Sequence, residues 1–231
     1  MVKSTKRLTV YETFDDQSPA ATEFRRLYSR IRYRNRTSPF SPLLVTSAQH
    51  AEGKTTTAAF LAATIARFHD SRVIIADMDL HRPRQHELFD LPKAEGPGVG
   101  EVLLGEAPAA KAVMPTRIEN LSLVAAGKRV ASPSTLFEAG RVRQFFEDLR
   151  SLCDVVIIDS PPLIPVSDTM LLSVEAAAVL YVLMAGTTPR EVAVRAKGLL
   201  SDVNARLIGV VVNNAEQVLP YYYDYKYYGY R

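Results

Sequence analysis

The chain has 231 residues, 47% of them hydrophobic, with 28 Lys and Arg against 25 Asp and Glu; this is enough apolar material for one globular domain and excludes a wholly disordered chain. A single cysteine, Cys153, excludes an internal disulfide framework and fits a reducing compartment. No apolar run approaches the roughly 18 residues of a membrane span, and the N-terminus lacks the apolar core of a secretory signal, so a soluble cytoplasmic protein is expected.

Charge is spread unevenly along the chain. Residues 1–37 hold nine Lys and Arg against four Asp and Glu, leaving 19 against 21 for the remainder. Within this basic segment SPAATEFRRLYSRIRY reads as a helix, with Ser18 as cap, Pro19 in the first turn, and Phe24, Leu27, Tyr28 and Ile31 repeating at helical spacing. The opposite face is rich in arginine and reads as a solvated surface, a subunit contact or a site for an acidic partner. A near-neutral body argues against nucleic acid.

After Pro39 and Pro42 come short apolar runs of β type: LLVT at 43–46, VIIA at 73–76, LSLVA at 121–125, VVII at 155–158, VLYVLM at 179–184 and LIGVVV at 207–212. They are uniformly apolar rather than alternating, as parallel strands are when helices cover both faces. Helices are expected at about 54–69, 134–151 and 188–203, so the pattern predicts an α/β fold of three layers around a central, mostly parallel sheet. Leu91 to Pro115, rich in Gly, Pro and Ala, predicts loops and a short helix. Cys153 reads as a small, partly buried side chain ahead of a strand.

Directly after the first strand, TSAQHAEGKTTTAAFLAATIARF opens a long helix at Gly53, Lys54 and Thr55. Backbone N–H groups at such a turn can surround phosphates and the helix dipole favours their charge; Lys54 can reach the terminal phosphates, and the Thr55 hydroxyl can ligate Mg²⁺. The full pattern G-x-x-x-x-G-K-[ST] would put glycine where Ala48 stands. Ala51 occupies a position where a second glycine often helps the loop curl, and a Cβ at positive φ costs about 1 kcal/mol.

Three aspartates end apolar strands. VIIADMDLHRP places Asp77 and Asp79 on the same side of an extended segment, and VVIIDSPP places Asp159 at the end of a later strand. In an open parallel sheet the carboxyl ends of the strands form the ligand-binding edge, so all three should meet the phosphate loop there. Mg²⁺ takes few carboxylates plus phosphate and water oxygens, which Asp159 and one of the earlier pair can supply. The remaining acid is free to orient or deprotonate an acceptor.

The chain ends in YYYDYKYYGYR, where seven of eleven residues are tyrosine: Tyr221, Tyr222, Tyr223, Tyr225, Tyr227, Tyr228 and Tyr230. This low-complexity end lacks apolar periodicity and follows the last strand. Two other signals are set aside. GPGVGEV at 96–102 is spaced G-x-G-x-G and has no accompanying lysine or catalytic loop of a eukaryotic kinase, and His50, His69, His81 and His86 have no metal-ligand spacing.

From about Ser18 to its end the chain resembles the cytoplasmic kinases of the bacterial tyrosine kinase (BY-kinase) family, which act in capsule and exopolysaccharide assembly on a P-loop NTPase fold. The resemblance implies that Glu52, Gly53, Lys54, Thr55 and Thr56 form the Walker A loop that binds ATP, that VIIADMDLHRP is the Walker A′ segment, and that VVIIDSPP is the Walker B segment. It implies Lys54 and Asp77 as catalytic, with Asp77 the base; Thr55, Asp79 and Asp159 as Mg²⁺ ligands, partly through water; and Asn213 near the adenine. The terminal tyrosines become an autophosphorylation cluster. Three parts then follow: a basic segment at 1–37, a kinase domain at 38–219 and a flexible tail at 220–231.

The same resemblance implies a homo-oligomer, a ring in the family, contacted through an E-x-x-R-x-x-R helix of which Glu23 and Arg26 match and the third position is Ser29. It also implies a membrane-embedded activator that recruits the kinase to the inner face of the plasma membrane, and a cognate phosphotyrosine phosphatase. His50 and Ala51 replace the family's usual Pro-Gly, and Met184 stands where a basic residue often follows the fifth strand. Septum-positioning and chromosome-partition ATPases share the sheet, but the lysine they often carry five residues before the loop lysine is Gln49 here. The expected function is a Mg·ATP-dependent tyrosine autokinase controlling polysaccharide polymerisation and export. The alternatives are an ATP-binding regulatory module and an ATPase switch of such an export complex.

Overall fold

The computed structural model describes residues 9–92 and 96–215. The seven terminal tyrosines therefore lie outside the described residues. The chain opens with α1 (Val10–Thr13) and α2 (Pro19–Arg34), then passes through β1 (Leu43–Ser47), α3 (Lys54–Phe68), β2 (Val73–Asp77) and α4 (Gln85–Leu88). Next come α5 (Val99–Leu103), α6 (Ala109–Ala112), β3 (Val113–Pro115), β4 (Leu121–Val124), a 3₁₀ turn at Pro133–Leu136, α7 (Ala139–Leu152) and β5 (Val155–Asp159). The last elements are α8 (Asp168–Glu175), β6 (Ala178–Met184), α9 (Arg190–Asp202) and β7 (Leu207–Asn213).

Among the described residues the strands form one sheet in the order β3-β4-β2-β5-β1-β6-β7, parallel throughout except for the β3–β4 pair. Period-2 alternation divides the strand side chains between two faces. Leu43, Val45, Ile75 and Ile157 join the α1–α3 layer, and Leu44, Ile74, Val156 and Ile158 join the layer that includes α7. Every residue of β1, β2 and β5 is buried. That is why these strands read as continuous apolar runs.

The N-terminal helix forms as its sequence predicts. Ser18 Oγ accepts the Ala21 N–H at 3.1 Å, Pro19 opens the first turn, and Tyr28 and Ile31 are buried while Phe24 and Leu27 pack at the edge of the same cluster. Phe14 and Phe24 both set their rings against Phe60 of α3. The arginine face points outward, with Arg26, Arg30, Arg32, Arg34 and Arg36 exposed.

Two expectations need correcting. The segment before Pro115 holds two short helices and β3, whose antiparallel pairing of Val113 with Val124 caps the sheet edge. The helix expected from residue 134 begins at Ala139, because Leu136 and Phe137 turn inward and are buried while Phe137 takes the non-helical φ of −85° and ψ of 81°. Cys153 is buried after α7, and burial pushes its thiol up to about 11. His69 packs on the Tyr28 ring and His81 contacts Asp168.

Candidate active site

Parallel order fixes where the chemistry gathers. β1, β2 and β5 are adjacent, with Val45 and Asp77 each in register with Asp159, so the phosphate loop after β1 and the aspartates of β2 and β5 share one edge. The loop turns through two left-handed residues, Ala51 at φ 64° and Gly53 at φ 92°. Ala48 is buried and keeps an ordinary φ, and its carbonyl accepts the Ile164 N–H at 3.1 Å. Alanine is thus accommodated at the first position of the motif, and the strain falls on Ala51, where the sequence placed it.

Glu52 holds this turn. Its Oε2 accepts the Gln49 N–H at 2.8 Å, its Oε1 accepts the Thr188 hydroxyl at 2.5 Å, and its carbonyl oxygen accepts Asn213 Nδ2 at 3.1 Å. A Cβ on Gly53 would lie 2.0 Å from Asn213 Nδ2, so glycine is required both for its φ and for this approach. Asn213 therefore sits against the loop backbone. The buried Glu52 carboxylate is a fastening that the Walker A assignment did not contain.

Lys54 begins α3 and is 7% exposed. Its Nζ donates to Asp79 Oδ2 at 2.9 Å and to Thr55 Oγ1 at 3.2 Å, and lies 3.7 Å from Asp159 Oδ1. Burial alone would lower the lysine's pKa; Asp159 and Asp79 outweigh it and hold the ammonium above its ordinary value. Lys54 is charged and held by carboxylates.

The three aspartates meet, but they are not equivalent. Asp79 faces a cleft of about 420 Å³ lined also by His50, Lys54, Thr55, Thr56 and Arg82. Asp77 is fully buried: its Oδ2 accepts the Arg84 and Gln85 N–H groups at 2.8 and 2.9 Å, and its Oδ1 accepts the Asp79 N–H at 3.3 Å. Burial first, and then Asp159, raises its pKa well above the carboxylate range. Burial likewise raises Asp159, against the pull of Lys54.

Among the described residues no group of three or more His, Cys, Asp and Glu forms a metal cage. Mg²⁺ does not require one, since it is held by one or two carboxylates together with water and phosphate oxygens. Its fit rests on Asp159 Oδ1, which is buried and has no hydrogen-bond partner. Lys54 Nζ comes no nearer than 3.7 Å, so this buried oxygen is compensated by a long ion pair alone, and a cation beside it would complete its coordination. Thr55, Asp79 and Asp159 thus suit the cation of a nucleotide complex.

Comparison with known proteins shows what the chain is similar to. The family model described as ParA, NUBPL iron-transfer P-loop NTPase, matches residues 41–226. A putative tyrosine-protein kinase CapB of Staphylococcus aureus is 29% identical over 225 residues, covering 95% of this chain and 97% of that protein. Tyrosine-protein kinase YwqD of Bacillus subtilis is 28% identical over 215 residues, with 93% and 89% covered. Among solved structures the chimerical protein CapA2B2 superposes with a TM-score of 0.80 at 30% identity over 88% of this chain and 87% of that one. The kinase domain of the Escherichia coli tyrosine kinase ETK gives 0.77 at 26% identity, with 84% and 75% covered. The Pyrococcus horikoshii septum site-determining protein MinD, complexed with Mg-ADP, shares the fold at 17% identity, TM-score 0.66, with 78% and 74% covered.

Proposed function

The chain belongs to the bacterial tyrosine kinase family of P-loop NTPases and is a protein-tyrosine kinase, and from that premise we propose that it transfers the γ-phosphoryl group of Mg·ATP to the tyrosines of its own C-terminal cluster. The observation that carries this reading is Lys54 at the head of α3, held between Asp79 and Asp159, with Asp159 Oδ1 buried and not hydrogen-bonded. One buried cysteine offers no thiolate set for an iron–sulfur cluster within this sequence.

Arriving phosphates compete with Asp79 for Lys54 and accept the N–H groups of the turn, while the α3 dipole favours their charge. Thr55, Asp79 and Asp159 are the residues that would hold Mg²⁺, which would supply positive charge to offset that developing on the phosphoryl group. Lys54 and the loop amides stabilise the same charge. In the base reading of Asp77, the turn before α4 releases one of its oxygens so that it can accept the tyrosine proton. Burial and Asp159 raise its pKa, so it is a stronger base than an ordinary carboxylate once it has lost its own proton. We assign Asn213, whose amide donates to the Glu52 carbonyl, to the side of the nucleotide's base.

Access for the acceptors follows from topology. β7 runs parallel to β6, so it ends on the catalytic edge and the tyrosine sequence continues from there. Eleven extended residues reach about 36–40 Å. Each phosphate adds about −1.5 to −2 charges, so repeated transfer drives the tail away from a site already built of carboxylates.

Glu23 and Arg26 are exposed on α2 and paired with each other at 2.5 Å; in an oligomer they exchange this pairing for one with a neighbouring copy. Among the described residues no helix is long and apolar enough to cross a membrane. Recruitment to the inner membrane surface is assigned to a separate activator of polysaccharide assembly, and reversal to a phosphotyrosine phosphatase. A regulatory module with little turnover is the second reading, favoured by the strain at Ala51.

Intact mass before and after Mg·ATP, for the wild type and Lys54→Met, separates the readings. Steps of one phosphate confined to the terminal peptide and lost in the variant are expected. Phosphate release with no mass change selects an ATPase switch, and neither signal selects the regulatory module.

A further inference from the structure

The three nucleotide segments are joined by a residue that none of their motifs includes. Gln85 is completely buried at the start of α4. Its side-chain Nε2 donates to the Thr55 carbonyl at 3.0 Å and to Asp159 Oδ2 at 2.9 Å, while its backbone N–H donates to Asp77 Oδ2 at 2.9 Å. One residue therefore contacts the ends of β1's loop, β2 and β5 through three separate hydrogen bonds.

We propose that Gln85 is a positioning residue for the cation site, holding Asp159 so that its second oxygen stays on the side of Lys54, which lines the cleft. The amide orientation follows from its partners: both are oxygen acceptors, and turning the group over would set its own oxygen against a carboxylate and a carbonyl. With Oδ2 taken by Gln85, Oδ1 is left without a hydrogen bond, 3.7 Å from Lys54 Nζ. The bond to the Thr55 carbonyl fixes the same amide to a residue that lines the cleft. Gln85 thus sets the separation between two of the proposed ligands, Thr55 and Asp159, without touching the cation itself. Residues that orient metal ligands in this way are typically worth about 10- to 100-fold in metal affinity.

Part of this rests on the reading that Asp159 helps hold Mg²⁺, and the test separates the two. ADP affinity is measured by calorimetry on the full chain, once with Mg²⁺ and once with EDTA, for the wild type and for Gln85→Met, which preserves bulk and the backbone N–H to Asp77. The expected result is a fall of about 10- to 100-fold in the Mg²⁺-dependent gain, with metal-free ADP binding unchanged. An undiminished gain in Gln85→Met overturns the inference alone, and an equal loss with and without Mg²⁺ overturns it too, by reducing Gln85 to support of the loop. A wild type with no Mg²⁺-dependent gain overturns the cation site and this inference together. Should Gln85→Met fail to fold by circular dichroism, Gln85→Asn carries the same test: its amide is one methylene shorter and cannot span the Thr55 carbonyl and Asp159, so the gain falls if Gln85 orients Asp159 and stays intact if it does not.

Discussion

The phosphate loop is held from two sides by different kinds of contact. Toward β2 and β5 the contacts are made to buried charges: Lys54 with Asp79 and Asp159, and the Gln85 amide with Asp159. Toward β6 and β7 they fasten a turn: Asn213 onto the Glu52 carbonyl, and Thr188 onto the Glu52 carboxylate. The first side changes whenever a phosphate or cation enters, because every group on it is charged or bonded to one that is. The second sets shape, with no space at Gly53 for even a methyl group. Responsiveness and rigidity are thus divided across the loop.

The largest blow to the charged side is Lys54→Met. It removes the stabilising cation from the transferring group, and autophosphorylation should fall by at least about 10²- to 10³-fold. Asp79 and Asp159 also lose their buried partner, so apo stability drops unless both carboxylates take up protons. Phosphotyrosine formation and thermal melting measure the two losses. A variant with wild-type turnover would mean that the charged side does not carry the chemistry.

Gly53→Ala attacks the other side. Placing a Cβ at φ 92° costs about 1–2 kcal/mol, and the overlap with Asn213 Nδ2 at 2.0 Å adds to it. Adding Asn213→Ala relieves the overlap but not the strained φ. A double-mutant cycle should therefore show coupling of about 1 kcal/mol or more, with the double variant still less stable than Asn213→Ala. Additive effects would show that the turn adapts and that the shape side is not rigid.

A pH series sharpens the charged side further. Asp77 stands well above the carboxylate range because of burial and then Asp159, so the folded chain keeps a proton that the unfolded chain has released. Its contribution to stability is complete below the unfolded value of about 3.9 and is lost as pH rises through the folded value. Asp77→Asn does not titrate. The stability of this variant minus that of the wild type should therefore increase from about pH 4 upward, whatever the offset from altered hydrogen bonds. Melting temperatures of both proteins across that range give the slope, and a flat difference would deny the raised pKa.

The two sides were not equally legible in the sequence. Lys54, Asp77, Asp79 and Asp159 could be placed together because apolar runs mark the strands and parallel strands end on one edge. Ala51 could be assigned positive φ because the motif expects glycine there. Gln85 carried no signal, since its function depends on a four-residue helix that turns it back onto β5. The Glu52 carboxylate was hidden for the same reason: Thr188 is 136 positions away. β3 was lost in a Gly- and Ala-rich stretch because three residues pairing at an edge leave no period to read.

The smallest effect tests whether the division across the loop is complete. Ala51 at φ 64° stores about 1–2 kcal/mol of left-handed strain, and Ala51→Gly releases it, while the extra freedom of glycine in the unfolded chain takes back about 0.4–1 kcal/mol. The expected net gain is about 0 to 1.6 kcal/mol, or at most about 3–6 °C in melting temperature. If the turn only sets shape, ADP affinity measured in EDTA should rise slightly or hold while the Mg²⁺-dependent gain stays unchanged. A change in that gain would mean that strain at Ala51 reaches Lys54, three residues on, and that the shape side also tunes the charges.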